Sequence, residues 1–536
     1  MHPTIYLDAN ATTPVLPAAI AAATRAMMEQ FGNPSSSHSS GIVAKAFLDQ
    51  TRAMAAQVIG AGDGHVVFTS GATEGIQTAV LSALRSIAQR RETGQKEGER
   101  AGHLLVYGAT EHKAVPQALA HWNAVLGLGL ELRALPVNAQ GQHDLYTLAA
   151  WLPDTALLCT MAANNETGVI TDLTAIEQLL GGINRNTLWL VDCVQALGKL
   201  PLDLQTTRID YAAFSGHKLY APKGIGMLYV RRGAPFTPLM AGGGQEGGLR
   251  AGTENMPGIA ALGAVLNALQ SGDTFASVET LRSYRDQLER SLRCAFPNIE
   301  FNAPLAHSLP TTLNFSVTGL TSKNLLDVFD AAGLRVSAGS ACSAAQAAPS
   351  DVLAAMGLPE CRASSAVRLS IGPLASPALI AAACEAIAQC GRALQGLQAD
   401  ETRTPDIADC SAQEAAALTL HWSELDAFLC AHPNARLVDV REAAEYQVGP
   451  LVRHGAWAAV NAPLSALDAF AQQWAEYKAA PVVLVCRSGN RSLKAAQWLR
   501  SQGLTHVRHL HGGLALRPKE TTQANDCSSS SISRPT

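Results

Sequence analysis

Lys218 stands in the stretch FSGHKLYAPKG (residues 214–224), beside His217, between a serine and a glycine turn and with apolar runs on both sides. A lysine delivered by the end of a strand into a water-poor pocket has a depressed pKa and can bond covalently to an aldehyde. The same residue could equally be a surface lysine following a turn. Other stretches bear on the choice. VFTSGATEG (67–75) runs from an apolar strand through Ser70 and Gly71 into a helix start, where Ala72 and Thr73 can offer backbone N–H groups and a hydroxyl to a phosphate, or simply cap a helix. WLVDCVQALGK (189–199) ends a strand at Asp192, three residues before Gln195. A carboxylate there can keep a ring nitrogen protonated; a helix cap is the other use of such an aspartate. Cys342, in RVSAGSACSAAQAAPS (335–350), lies among small residues. It is either a small buried filler or a thiolate on a moving loop. PVVLVCRSGNRS (481–492) delivers Cys486 from an apolar strand into a loop that ends at Arg491 and opens a helix. Loop N–H groups, a helix N-terminus and an arginine together lower a thiol pKa and stabilise an anion on sulfur.

The elements that must position these residues alternate. The runs HVVFTS, HLLVYG, LELRALPV, TALLCTMAA, TLWLVDCV and GIGMLYVRR are separated by Ala/Leu-rich helical stretches, which predicts an α/β fold around a mainly parallel sheet. Residues 85–102 are charged and apolar-poor, and read as a solvated loop or helix extension. Between about 393 and 415 the apolar period is lost, so a linker is expected at 393–414. A second α/β unit follows at 415–518, and the Ser/Thr-rich end, 519–536, is expected to be disordered. No internal repeat is visible.

With 536 residues, 47% of them hydrophobic and 16% charged, the chain can bury more than one core. A net charge of -4 gives no electrostatic reason to expect nucleic acid, and no apolar run is long enough to span a bilayer. The N-terminus lacks the basic-then-apolar pattern of a secretory signal. Eleven cysteines without paired spacings favour free thiols in a reducing cytosol over a disulfide framework or a zinc site, so a cytoplasmic location and no bound metal are expected.

In one order along residues 4 to 390 come YLDANATTP, FGNPSSSH, TSGATE, EHKAV, NNETG, VDCVQ, SGHK, RAGTEN and GSACS. This series resembles the cysteine desulfurases, pyridoxal-phosphate enzymes of fold type I related to aminotransferases. The resemblance implies a large domain with a mainly parallel sheet, a small α+β domain, and a desulfurase domain over residues 1–392. It implies that Lys218 binds the cofactor aldehyde, that His112 stacks on the ring and moves protons, that Asp192 pairs with the ring nitrogen and that Gln195 bonds the ring hydroxyl. The phosphate would be held at Ala72 and Thr73, by Ser215 and His217, and by Thr253 reaching in from a second subunit of a homodimer. Asn165 and Arg368 would hold the substrate carboxylate, arginine being suited to a bidentate clamp; Asn33 of FGNPSSSH would also face substrate. Cys342 would take the sulfur as a persulfide. The long stretch between Cys342 and AVRLSIG resembles the branch with an extended cysteine loop. Gly75 and Ile76 stand where the family more often has a serine and an asparagine.

The second unit, with RLVDVREAAEY (436–446), HGAWAAVNAP (454–463) and HLHGG around the cysteine loop, resembles a single rhodanese domain. Its loop of Cys486, Arg487, Ser488, Gly489, Asn490 and Arg491 is shorter than a phosphoryl group needs and fits a sulfur atom. By resemblance Cys486 would carry a persulfide, with Asp439 and Arg441 supporting the loop. Leu514 and Ala515 follow the paired glycines where an aromatic residue is common. Two functions follow. In the first, sulfur passes from L-cysteine to Cys342 and on to Cys486, leaving L-alanine. The acceptor beyond is open among iron-sulfur scaffolds, tRNA-thiolating enzymes, sulfur-carrier proteins and cofactor pathways. In the second, the first domain is a pyridoxal-phosphate lyase or aminotransferase for another amino acid, selenocysteine included, and the rhodanese-like domain only docks a partner. The presence of both cysteines favours the first.

Overall fold

The structure, a computed structural model, describes residues 4–92, 102–338, 350–395, 411–470, 474 and 480–518. Cys342, the body of the expected linker and the tail from 519 lie outside the described residues. The chain divides into two compact units at Gly391/Arg392.

The first unit opens with the short strand β1 (Ile5–Tyr6) and is organised by seven strands: β2 (His65–Thr69), β3 (Leu104–Gly108), β4 (Glu131–Leu135), β5 (Thr155–Met161), β6 (Leu188–Asp192), β7 (Tyr211–Ser215) and β8 (Gly226–Val230). Their order in the sheet is β2-β8-β7-β6-β5-β3-β4. Every residue of β5, β6, β7 and β8 is buried, because helices cover both faces of the sheet. The period of two divides these apolar runs between two cores. Leu158, Trp189, Val191, Ala212 and Phe214 join one, against the helices Ser39–Val58 and Met256–Ser271. Leu157, Cys159, Leu188, Leu190 and Ala213 join the other, against the helices Ala72–Glu92 and Ala114–Val125. Each such fully buried Leu or Val contributes about 1.5–3 kcal/mol of transfer free energy.

The sheet is parallel except at β8, which runs antiparallel to both β2 and β7. The C-terminal ends of β2, β3, β5, β6 and β7 therefore lie along one edge, where open α/β sheets bind ligands. The charged stretch after residue 85 is partly helix extension, since the helix that follows β2 continues to Glu92.

A smaller antiparallel sheet has the order β12 (Ser337–Ala338), β13 (Val367–Ser370), β10 (Thr312–Val317), β9 (Ile299–Phe301). It is tied back to the start of the chain: β1 pairs with β11 (Leu334–Arg335), and Asp8 bridges to Ser370. This brings Asn10 and Ala11 to the same edge as the strand ends.

At the margins of the expected linker the described residues are helical. The helix Pro377–Leu394 runs into it, and Ser411 caps the helix Ala412–Leu418 with a reciprocal Ser411/Glu414 box. The second unit is a six-stranded sheet in the order β14 (Thr419–Leu420), β19 (Val507–Leu510), β18 (Val482–Val485), β15 (Arg436–Asp439), β17 (Trp457–Asn461), β16 (Arg453–His454). It is parallel apart from the β16/β17 pair. The apolar period again serves two cores: Val438, Val482 and Leu484 on one face, Leu437, Val483 and Val485 on the other. Among the described residues no helix is long and apolar enough to cross a membrane.

Candidate functional site

A cavity of about 500 Å³ opens at the strand-end edge of the first unit. Lys218 reaches it through a single helical turn, Gly216–Lys218, that follows β7 directly. Its Nζ donates to the carbonyls of Asn10 and Ala11, at 2.7 Å each. Ser70, Gly71, Ala72 and Thr73 line the same cavity where β2 gives way to its helix, so the helix N-terminus faces it. Ser215 and His217 line it as well. His217 Nδ1 lies 3.1 Å from Thr12 Oγ1. Burial, then the charges of Lys218 and Lys223, push the His217 pKa down to about 4, so the ring is neutral at neutral pH.

Asp192, at the end of β6, is buried and accepts the Val194 N–H at 2.9 Å. Burial raises its pKa, against the pull of that N–H, His112 and Lys218. A cation brought beside it would reverse the shift. His112 lines the cavity, and its Nδ1 accepts the Ala114 N–H at 3.2 Å. A neutral ring at this position then carries its proton on Nε2. Gln195 is held from two sides: its amide donates to the Asn10 carbonyl at 3.1 Å, and its Oε1 accepts from Lys199 at 2.5 Å. That leaves the second N–H of the amide for a ligand.

Arg368 projects from β13 and is fully buried. It donates to Asp8 Oδ1 at 2.7 Å and to the Asn165 carbonyl at 2.9 Å, while its Nε is buried without a partner among the described residues. Asn165 lines the cavity beside it. Two expected residues lie elsewhere. Asn33 closes a local turn, its Oδ1 accepting from Ser35 N–H at 2.9 Å, and does not line the cavity. Thr253 lines a separate cavity of about 220 Å³ with Glu246, Arg250 and Glu254.

Sequence reasoning passed over several residues that the cavity uses. Among the described residues both carboxylate oxygens of Glu111 are buried without a hydrogen-bond partner, and burial, then the charge of Asp192, holds its pKa well above the carboxylate range. Glu166 accepts from Ser350 Oγ at 2.5 Å, and burial raises its pKa to about 7. The available signals were their places beside His112 in EHKAV and beside Asn165 in NNETG. Lys199, four residues after Gln195, was visible in the same way.

In the second unit Cys486 ends β18 at the mouth of the loop. Its Sγ accepts N–H groups from Gly489 at 3.1 Å and Ser492 at 3.3 Å, and its thiol faces Ser492 Oγ at 3.5 Å. The Arg491 guanidinium pairs with buried Glu445, Nη2 standing 2.8 Å from Oε1, and so braces the loop whose amides face the sulfur. Asp439 and Arg441 form a buried bidentate pair, and Arg441 also donates to the Gly449 carbonyl. The paired glycines close over the loop. A Cβ on Gly513 would stand 2.2 Å from the Cys486 carbonyl oxygen. Leu514 and Ala515, in place of an aromatic, pin that loop through their N–H groups to the carbonyls of Cys486 and Arg487. Ser492 also lies 3.4 Å from Nδ1 of buried His509, whose Nε2 is 3.2 Å from Thr419 Oγ1. Neither Ser492 nor His509 was singled out from sequence.

The family model for aminotransferase class V matches residues 5–379, and that for rhodanese-like domains matches 422–516. Cysteine desulfurase 2 of Trichormus variabilis is 40% identical over 369 residues, which cover 68% of this chain and 88% of that protein. Among solved structures, a NifS-like protein aligns with a TM-score of 0.64 at 30% identity, over 74% of this chain and 100% of the other. SspA, solved in complex with cysteine, aligns with a TM-score of 0.58 at 27% identity, over 69% and 99% of the two chains.

Proposed function

The chain belongs to the class-V aminotransferase family and, within it, to the cysteine desulfurases, pyridoxal-phosphate enzymes, and it carries a C-terminal rhodanese-like domain; from this premise we propose that it moves sulfur from L-cysteine to Cys342 and then to Cys486. The observation that carries the reading is the convergence of Lys218, Asp192, a helix N-terminus and Arg368 on one cavity.

The cavity fits the cofactor. Asp192 is a buried carboxylate short of a cationic partner, as a protonated ring nitrogen would be. Ala72 and Thr73, at a helix N-terminus, and Ser215 with His217 form a donor set for a phosphate. When bound, the cofactor supplies an electron sink that weakens bonds around the carbon of an attached amino acid. Lys218 Nζ would hold its aldehyde group, and as a free amine would take the proton from the substrate Cα. His112, lining the same cavity, would donate or accept a proton at Nε2. Arg368 and Asn165 receive the substrate carboxylate, and the Arg368 Nε without a partner is one donor ready for it.

The Cys342 thiolate attacks the substrate sulfur. A Cys342 S–S bond forms as the substrate C–S bond breaks, and the released electron pair stays with the carbon fragment, which is protonated and leaves as alanine. In the second transfer the Cys486 thiolate attacks the outer sulfur of the Cys342 persulfide, forming a new S–S bond and returning the Cys342 thiolate. The Gly489 and Ser492 N–H groups are placed to stabilise the anion at Cys486. Thr253 completes the phosphate site of a neighbouring chain in a homodimer, and the acceptors beyond Cys486 are sulfur-using proteins.

Anaerobic single-turnover incubation with sulfur-labelled cysteine, followed by mass spectrometry of the Cys342 and Cys486 peptides, tests the order. Label on both, appearing first on Cys342, supports the transfer. Label on Cys342 that never reaches Cys486 rules it out.

A further inference from the structure

A second cavity, of about 280 Å³, lies in the same unit. Its lining among the described residues includes Lys199, Arg282 and Arg285, with Ser308, and no acidic residue. Arg285 is anchored rather than mobile: it donates to the Leu305 carbonyl at 2.7 Å and stands 3.4 Å from Asp286 Oδ1. Its Nε, however, is buried with no acceptor among the described residues. A buried donor left unmatched is costly, and such a group normally has a bound partner. Lys199 is itself 4% exposed, in contrast to the exposed Arg282 above it. Burial, then the charges of Lys218 and Arg368, already disfavours the Lys199 ammonium, and negative charge brought near it would offset that cost.

We propose that this cavity is a binding site for a small oxyanion of the carboxylate or phosphate type, held by Arg282 and Arg285 at its wall and by Lys199 at its inner end. The volume is just below the roughly 300–1,000 Å³ of sites for drug-sized ligands, which limits the occupant to an ion or a small metabolite. Apolar Ile170 and Leu305 supply the remaining wall, so the ligand is anionic at one end only or fills the site as a compact ion.

The position of Lys199 gives the site a route to the chemistry. Its ammonium donates to Gln195 Oε1 and to Asn10 Oδ1 at 3.2 Å, and both of those residues line the cofactor cavity. Burial, then the charges of Lys218 and Arg368, brings the Lys199 pKa down to about 7. An anion nearby favours the charged form, which holds Gln195 Oε1 and Asn10 Oδ1 more strongly through charge-assisted hydrogen bonds. Occupancy of the second cavity is thereby coupled to the residues that face the cofactor ring, and the coupling is reciprocal.

The test is calorimetric titration of full-length, cofactor-saturated protein in low-salt buffer, with inorganic phosphate and, separately, with succinate. Saturation with cofactor keeps the phosphate probe out of the larger cavity. The expected result is one site per chain for at least one probe, and the tighter of the two identifies the head group. Arg282→Gln with Arg285→Gln should weaken that binding by roughly tenfold or more, as expected for the loss of charge-assisted hydrogen bonds. Arg282→Gln alone, at an exposed position that leaves folding intact, should weaken it several-fold. Absence of heat above a chloride control for both probes overturns the proposal, as does binding that the Arg282→Gln variant leaves unchanged.

Discussion

In the proposed reaction Lys218 and Cys342 serve two different halves, and single substitutions should separate those halves in solution. Lys218→Ala removes the amine that bonds the cofactor aldehyde, so the cofactor should dialyse away and alanine formation should stop; absorbance before and after dialysis reads the first effect. Cys342→Ser should abolish sulfide release yet keep the spectral change on adding cysteine, because binding uses Lys218, Asn165 and Arg368. Glu166 carries a pH prediction. Burial raises its pKa to about 7, against the pull of Ser350, Arg368 and Lys113. A carboxyl whose folded pKa lies above its unfolded value stabilises the fold below the unfolded value, and that contribution is lost as pH rises toward about 7. The loss is on the order of 3 kcal/mol at most. Glu166→Gln cannot ionise, so the guanidinium midpoint of its first unit should gain on wild type between pH 5 and pH 8. A constant difference across that range would show that Glu166 does not titrate there. These carboxyls were hard to read from sequence for a physical reason. A lone acid next to a histidine or an asparagine looks solvated, and only the packing of distant strands removes the water from Glu111 and Glu166.

At the scale of elements, the apolar runs named from the sequence became β2 to β6 and β8, and the central ones, β5, β6 and β8, are apolar-rich because both of their faces are buried. The direction of β8 was not legible. An apolar run has the same composition read either way, and only its pairing with β2 and β7 sets the antiparallel sense. The cysteine loop shows the same limit. Its spacing was visible, but Arg491 pairs with Glu445, on an element far upstream, and no local pattern links them. What fixes the loop from above is Gly513, in the left-handed region at φ 53° with no room for a Cβ against the Cys486 and Arg487 backbone. Gly513→Ala should destabilise the second unit by about 1–3 kcal/mol and pull the loop amides off the sulfur. Calorimetry should show the second unit melting earlier while alanine formation in the presence of added thiol is kept. An unchanged second transition would mean that the loop yields without cost.

For the whole molecule, joining the two units in one chain is itself a physical effect. Tethering two sites in one chain typically gives an effective concentration on the order of millimolar. Cys486→Ala should therefore leave cysteine-to-alanine turnover with an added thiol intact and sharply lower cysteine-dependent thiocyanate formation from cyanide. Equal thiocyanate yields would assign delivery to Cys342 alone. Thr253 faces a cavity other than the one holding Lys218. If it serves a second chain, dilution below the dimer's dissociation constant should release cofactor, and sedimentation of a fully active monomer would disprove that role. The antiparallel seam at β8 has a further consequence, for the order in which a newly made chain becomes competent. Strand β2, which delivers Ser70 to Thr73, sits at the edge of the sheet and has β8 as its neighbour, Phe68 pairing with Met227. Until the ribosome has released the chain past Val230, that strand has no place to dock. The turn meant for the phosphate and the lysine meant for the aldehyde are then brought together by one late, long-range closure. A nascent chain stopped before β8 should be unable to retain pyridoxal phosphate, however long it waits.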